Sequence, residues 1–188
     1  LARLFNAPKV MHKIRLFNSS EYPLTTAPAL ILKDDRLLAQ GLMTYAAPGA
    51  DADLSITAAV DIRVTKTDNE TKRTPNAAVW QGDQYGRIDL AGKITLTSFR
   101  KDAVEVEVTR NVLGNADSAD NNGKTEMVNI FENQPFAGTG GPYPNWWGWF
   151  SWPWWWHHFN GVGRITWTAT LEPKKPLDLG YTWNYYWR

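Results

Sequence analysis

The 188-residue chain contains no cysteine. That absence excludes structural zinc built on thiolates, iron–sulfur clusters, c-type haem and thiol catalysis. It leaves the compartment open, because freedom from disulfides suits the cytosol and many bacterial envelope proteins alike. An excess of either charge is also missing: 20 Lys and Arg face 19 Asp and Glu, for a net charge of +1. A nucleic-acid binder normally carries a strong basic excess, so no nucleic-acid partner is expected. The same balance makes self-association electrostatically cheap. No signal peptide is visible in the sequence, nor an apolar run able to cross a bilayer as a helix. The one candidate, a Trp-rich segment, is too short and is broken by Gly148 and Pro153. No window carries a helical apolar stripe with caps. The length fits one domain spanning 1–188 with a true core. The chain opens at Leu1 rather than Met, in domain-like sequence. That reads as a mature product or a fragment, with an upstream domain or export signal missing.

What is present is alternation. Leu54, Ile56, Ala58, Val60, Ile62 and Val64 share one face, opposed by Ser55, Thr57, Asp61, Arg63 and Thr65. Ile88, Leu90, Ile94 and Leu96 form a second series, and Val104, Val106, Val108 and Val112 a third. Near the C-terminus, Ile165, Trp167, Ala169 and Leu171 precede Leu177, Leu179, Tyr181, Trp183, Tyr185 and Trp187, with Glu-Pro-Lys-Lys-Pro as the turn between them. A period of two marks strands with one buried and one wet face. Shorter strands are expected over Val10–Asn18, Ala29–Lys33 and Leu37–Tyr45, with Lys33-Asp34-Asp35-Arg36 as a hairpin turn. The expected fold is all-β, an antiparallel β-sandwich of about eight to ten strands, with a barrel as the less favoured alternative.

Two stretches interrupt the rhythm. Gly114–Lys124 reads as a polar loop. Gln134–Gly163 reads as a long insertion rich in Trp, Gly and Pro, and no formal charge falls between Asn133 and Gly163. Of the 11 Trp, those at 146, 147, 149, 152, 154, 155 and 156 lie here, together with Tyr143 and Phe150. Each large aromatic covers ~150–250 Å², so the group presents on the order of 1,000 Å². The largest apolar patch of a typical monomer is roughly 300–600 Å². The segment must therefore pack on its own domain, dock on another copy, or bind a ligand with apolar faces such as a glycan. Membrane-interface insertion suits Trp, but the basic residues that accompany it are missing. The binding or interface candidates are Trp146, Trp147, Trp149, Trp152, Trp154, Trp155, Trp156, Phe150 and Tyr143. At the C-terminus, Trp183, Tyr185, Tyr186 and Trp187 form a β-prone strand. It is either an open edge or a strand paired internally.

The polar candidates for chemistry are sparse. His157 and His158 are adjacent, and in extended chain they point to opposite faces, so stacking within the aromatic segment competes with metal binding. Asp117, Asp120, Asn121, Asn122 and Glu126 offer oxygen ligands around Gly123, but their spacing differs from the twelve-residue calcium loop, which favours a solvated turn. Glu105 and Glu107 share one wet strand face, where a glycosidase pair would have to sit across a cleft. No Gly-x-Ser-x-Gly elbow or phosphate loop occurs. No catalytic residue, metal or cofactor is assigned.

The string from Lys13 to Leu32, with Asn18, Pro23-Leu24-Thr25, Pro28 and the later Pro48-Gly49, resembles the C-terminal domain of the bacterial mucoidy-inhibitor-like family, a domain of unknown function. Lys93–Asn111 and Arg164–Tyr185, with Trp167 and the turn at Leu171–Pro173, are similar to its closing strands. The resemblance spans most of the chain except residues 113–161. It implies an all-β domain on an exported or envelope-associated bacterial protein and brings no catalytic residues with it. The functional expectation is a non-enzymatic structural or interaction domain, extracellular or in the bacterial envelope, that assembles with copies of itself into a filament or layer through Trp146–Trp156. The alternative is a carbohydrate-binding module using the same indoles.

Overall fold

A computed structural model describes residues 10–128 and 153–188. Eleven strands and one helical turn run in the order β1 (Met11–Phe17), β2 (Ala27–Lys33), β3 (Arg36–Met43), β4 (Asp51–Ala58), β5 (Ile62–Trp80), β6 (Asp83–Ser98), β7 (Val104–Leu113), β8 (Asn115–Ala119), β9 (Lys124–Val128), α1 (Trp156–Phe159), β10 (Val162–Leu171) and β11 (Leu177–Trp187). The chain divides into two compact units, one over Lys9–Ile62 and one holding Arg63–Arg188.

The larger unit is an antiparallel sandwich. One sheet has the order β5-β6-β11-β8 and the other β7-β10-β9. The alternating series point inward as their period requires. Ile88, Ile94 and Leu96 of β6 and Leu179 and Tyr181 of β11 meet Val106 and Val112 of β7 and Ile165, Trp167 and Leu171 of β10, all buried. At ~25 cal/mol per Å² of apolar surface removed from water, this shared layer is the main term holding the sheets together. Trp167 lies at its centre, edge-on to Tyr181 at 6.0 Å, with its indole N–H donating to the Asp120 carbonyl at 2.9 Å.

The stretch Gly114–Lys124, expected as a loop, contains β8 and the turn into β9. Its polar side chains conceal a strand because they are consumed across the sheet. Asp117 accepts both bonds of the Asn184 amide at 2.8 Å, and Ser118 meets Thr182 at 2.6 Å. Asn121 and Asn122, with φ of 49° and 58°, turn the chain from one sheet to the other. Asn tolerates that left-handed region better than most residues, which suits the tight turn between the sheets.

Two further expectations are corrected. The series Leu54–Val64 is two strands, β4 and the start of β5, separated by a turn at Ala59–Asp61 that leaves Val60 95 % exposed. Residue type carries the alternation straight through the turn, and only the pairing of β4 with β1 reveals it. β5 continues to Trp80 through a polar run with no apolar alternation, as the edge of its sheet. Its charges and Pro75 are the devices that keep an open edge from recruiting another strand. The C-terminal strand β11, by contrast, is internal. It pairs with β6 along its whole length and with β8 over Tyr181–Asn184.

The smaller unit holds two two-stranded sheets, β1-β4 and β2-β3, around Ala46, Ala52, Leu54 and Ala59. Asn18 is buried and fully used: its amide donates to the carbonyls of Tyr22 and Ala46, and its Oδ1 accepts from Ser20. Its carbonyl accepts the N–H of Gly49, whose φ of 75° favours glycine. Asn18 and Pro48-Gly49 are thus parts of one turn-locking network.

Candidate functional site

The aromatic residues gather at one end of the four-stranded sheet. Gln81 and Gly82, with φ of 51° and 85°, fold β5 back into β6, so Trp80 and Tyr85 flank a hairpin turn. β11 runs antiparallel to β6 with Tyr185 opposite Ile88 and Trp187 opposite Gly86, which brings the last aromatics of the chain to the same end.

The final part of the Trp-rich run packs onto this end. Pro153 and Trp155 carbonyls accept from Trp156 and His158 N–H at 2.8 and 3.1 Å, closing the single turn α1. His158 and His157 therefore sit on a helical turn, not on extended chain. The His158 imidazole stacks on Trp80 at 4.0 Å and 5°. Phe159 lies 4.6 Å from Tyr85, 5.9 Å from Trp80 and 5.1 Å from Tyr186. Trp155 reaches Tyr85 at 5.2 Å, and Trp156 reaches Tyr185 at 6.1 Å. Such ring pairs contribute about 0.5–1.5 kcal/mol each beyond the area they bury. They offset the cost of the enclosed Tyr85 hydroxyl, which has no hydrogen-bond partner among the described residues. Trp154 differs from its neighbours. Its ring rests on Trp80 at 4.7 Å, yet it remains 61 % exposed.

Of the sequence candidates, Trp154, Trp155 and Trp156 are thus brought together, the last two packed homeward and Trp154 outward. Tyr143, Trp146, Trp147, Trp149, Phe150 and Trp152 lie outside the described residues. Sequence reasoning missed Trp80 and Tyr85. The signal was the glycine turn between two aromatics, Trp80-Gln-Gly-Asp-Gln-Tyr85, inside a run otherwise too polar to read.

A second constellation is polar. Asp68 of β5 accepts from the Tyr181 hydroxyl at 2.8 Å, from the Trp183 indole N–H at 3.1 Å and from Arg110 at 3.2 Å, while Arg110 Nε also donates to Tyr181 at 3.0 Å. Arg110 shares the inner face of β7 with Val106, Val108 and Val112, so the inward series contains a charge that only its partner makes tolerable. Burial pushes the Tyr181 phenol up to about 12, against the opposing pull of the Arg110 charge. Burial also lowers the Lys66 ammonium, with the Arg110 charge acting in the same direction. The cluster holds fixed hydrogen bonds between the sheets.

The remaining candidates do not converge. Asp120 accepts the Gly180 N–H at 2.7 Å, and Asn121 donates to the Asp178 carbonyl at 2.7 Å, so the turn's polar groups serve the chain itself. Glu105 and Glu107 are exposed on β7, an edge of its sheet. His12 faces Asp61 at 3.7 Å. Among the described residues, no group of three or more His, Cys, Asp or Glu is placed to hold a metal ion. No helix among them is long and apolar enough to cross a membrane. No family model, no curated protein and no solved structure matches this chain.

Proposed function

We propose that this chain is a non-enzymatic structural or interaction domain that assembles with copies of itself through the aromatic surface at Trp154 and the uncharged run leading to it. The observation that supports this is the state of Trp154. It is a large aromatic left 61 % exposed while held against Trp80, beside a His158–Trp80 stack that fixes the platform. Rigid, pre-positioned Trp residues are the anchors that dominate protein interfaces, because little side-chain entropy remains to be lost on docking. A net charge of +1 adds little repulsion between copies. The resemblance at Lys13–Leu32 supports a place in the bacterial envelope or outside the cell. A contact between unlike surfaces would extend into a filament or layer.

The second reading, a carbohydrate-binding module, draws on the same exposed indole, since a sugar ring can stack on its free face. The test is sedimentation velocity of the parent and of Trp154→Ser across a hundredfold concentration range. Assembly through this surface gives particles that grow with concentration in the parent, and at least tenfold weaker association in the variant. A parent that stays monomeric and shows saturable quenching of Trp fluorescence by soluble polysaccharide replaces assembly with glycan binding. Equal association by both proteins removes the aromatic surface from the contact.

A further inference from the structure

The β2–β3 hairpin is apolar on both faces, and its bulkiest apolar residues lie on the exposed one. The face turned to its own unit bears Ala27, Ala29, Ile31, Ala39, Gly41 and Met43, mostly small residues, with Gly41 lying close against Leu54 of β4. The opposite face bears Pro28, Leu30 and Leu32 on β2, set across from Leu42, Gln40 and Leu37 on β3. Leu38 bulges beside them. The five leucines are 61–65 % exposed. A half-buried antiparallel strand normally alternates apolar inward and polar outward. Here the outward positions are apolar as well and carry the bulkier side chains, with Gln40 the one polar residue among them and no formal charge.

We infer that the Leu30–Leu32–Leu37–Leu42 face of this hairpin packs against the same face of a second copy of the chain. The leucines and Pro28 present on the order of 500 Å², near the top of the range for the largest patch of a typical monomer. Two such faces together remove on the order of 1,000 Å², the threshold of a specific interface. A two-stranded hairpin is also marginal alone in water and needs a layer on its apolar side. A two-fold axis near Leu30 and Gln40 sets each Lys33-Asp34-Asp35-Arg36 tip, whose formal charges cancel, over the Thr26 and Thr44 end of the other hairpin. This contact is separate from the aromatic surface and stands without it; alone it closes at a dimer, since both copies use one patch.

The absence of native cysteine permits a direct test. Gln40→Cys, at the centre of the face, should give a disulfide-linked dimer on mild oxidation, whereas Thr168→Cys, exposed on β10, should not. Leu32→Lys with Leu37→Lys should weaken dimerisation at least a hundredfold in sedimentation velocity with an unchanged far-UV spectrum. Trp154→Ser should leave the Gln40→Cys cross-link intact, which separates this contact from the aromatic one. Cross-linking by Gln40→Cys no better than by Thr168→Cys overturns the inference, as does a doubly substituted chain with the parent's dimer affinity. Should the lysine pair prevent folding, the Gln40→Cys result decides, because that variant keeps every leucine.

Discussion

Asn160 and Tyr186 are joined as if they were two strands. The Asn160 amide donates from Nδ2 to the Tyr186 carbonyl at 3.0 Å, and its Oδ1 accepts the Tyr186 N–H at 2.7 Å. β8 pairs with β11 only as far as Asn184, so beyond that point one side chain supplies the ladder that a strand would. Asn160 follows directly on α1, and Asn115 fixes the same junction by donating to the Phe159 carbonyl at 3.0 Å. The aromatic platform is therefore held at its base by backbone-like hydrogen bonds.

Replacing Asn160 with Ala strands both Tyr186 groups in a part-buried setting, at a cost of roughly 1–2 kcal/mol. Urea unfolding should show a lower midpoint with an unchanged slope, and tryptophan emission should shift to the red before the global transition as α1 detaches. An Asp at this position loses the donor as well and should be no better than Ala. A midpoint and emission curve equal to the parent's would show that the platform is anchored elsewhere.

The phenol of Tyr181 makes alkaline stability a probe of the core. Burial raises its folded value to about 12 from the ordinary 10, as the Arg110 charge opposes and the bond to Asp68 assists. The unfolded chain loses this proton first, so above pH 10 the unfolded state binds fewer protons than the folded one. Stability must then fall with rising pH. The contribution is fully present below pH 10 and lost as pH rises through about 12, amounting to roughly 2–3 kcal/mol at about 1.4 kcal/mol per unit. Tyr181→Phe should flatten that decline relative to the parent, and absorbance at alkaline pH should show one tyrosine ionising only with unfolding. If the decline between pH 10 and 12 is equally steep in both proteins, Tyr181 is not its source.

How far the sequence disclosed this molecule depends on what each residue does with its neighbours. β6, β7, β10 and β11 were readable because one face of each is buried, and burial leaves a period of two that needs no knowledge of partners. β8 was not, since Asp117 and Ser118 look like loop residues until Asn184 and Thr182 are set opposite them. The end of β4 was invisible because Val60 keeps the alternation while facing solvent. The Trp-rich run declared itself by composition, but the platform beneath it is built by Trp80 and Tyr85, far away in sequence. The leucines of β2 and β3 were readable as strand residues, while their exposure appears only once Gly41 on the opposite face is seen against Leu54.

Gly123 and Gly82 offer a last discrimination, between a glycine required by a neighbour and one required by its own backbone. A Cβ on Gly123 would collide with the Trp167 indole nitrogen and with the Ala119 side chain. Trp167 is the largest fully buried side chain and cannot yield without losing its bond to the Asp120 carbonyl. Gly123→Ala should therefore cost about 2–4 kcal/mol, the sum of an overpacked core position and a stranded indole N–H. At Gly82 nothing lies within 4 Å of the added carbon, and only the φ of 85° resists it. Gly82→Ala should cost about 1 kcal/mol, the strain of a left-handed residue without a clash. Chemical unfolding of the two variants side by side measures the difference directly. Near-UV dichroism adds a second readout, because only Gly123→Ala should disturb the band of a buried tryptophan. Equal losses, or an undisturbed tryptophan band at Gly123→Ala, would mean that Trp167 does not set the spacing between the β8–β9 turn and the core.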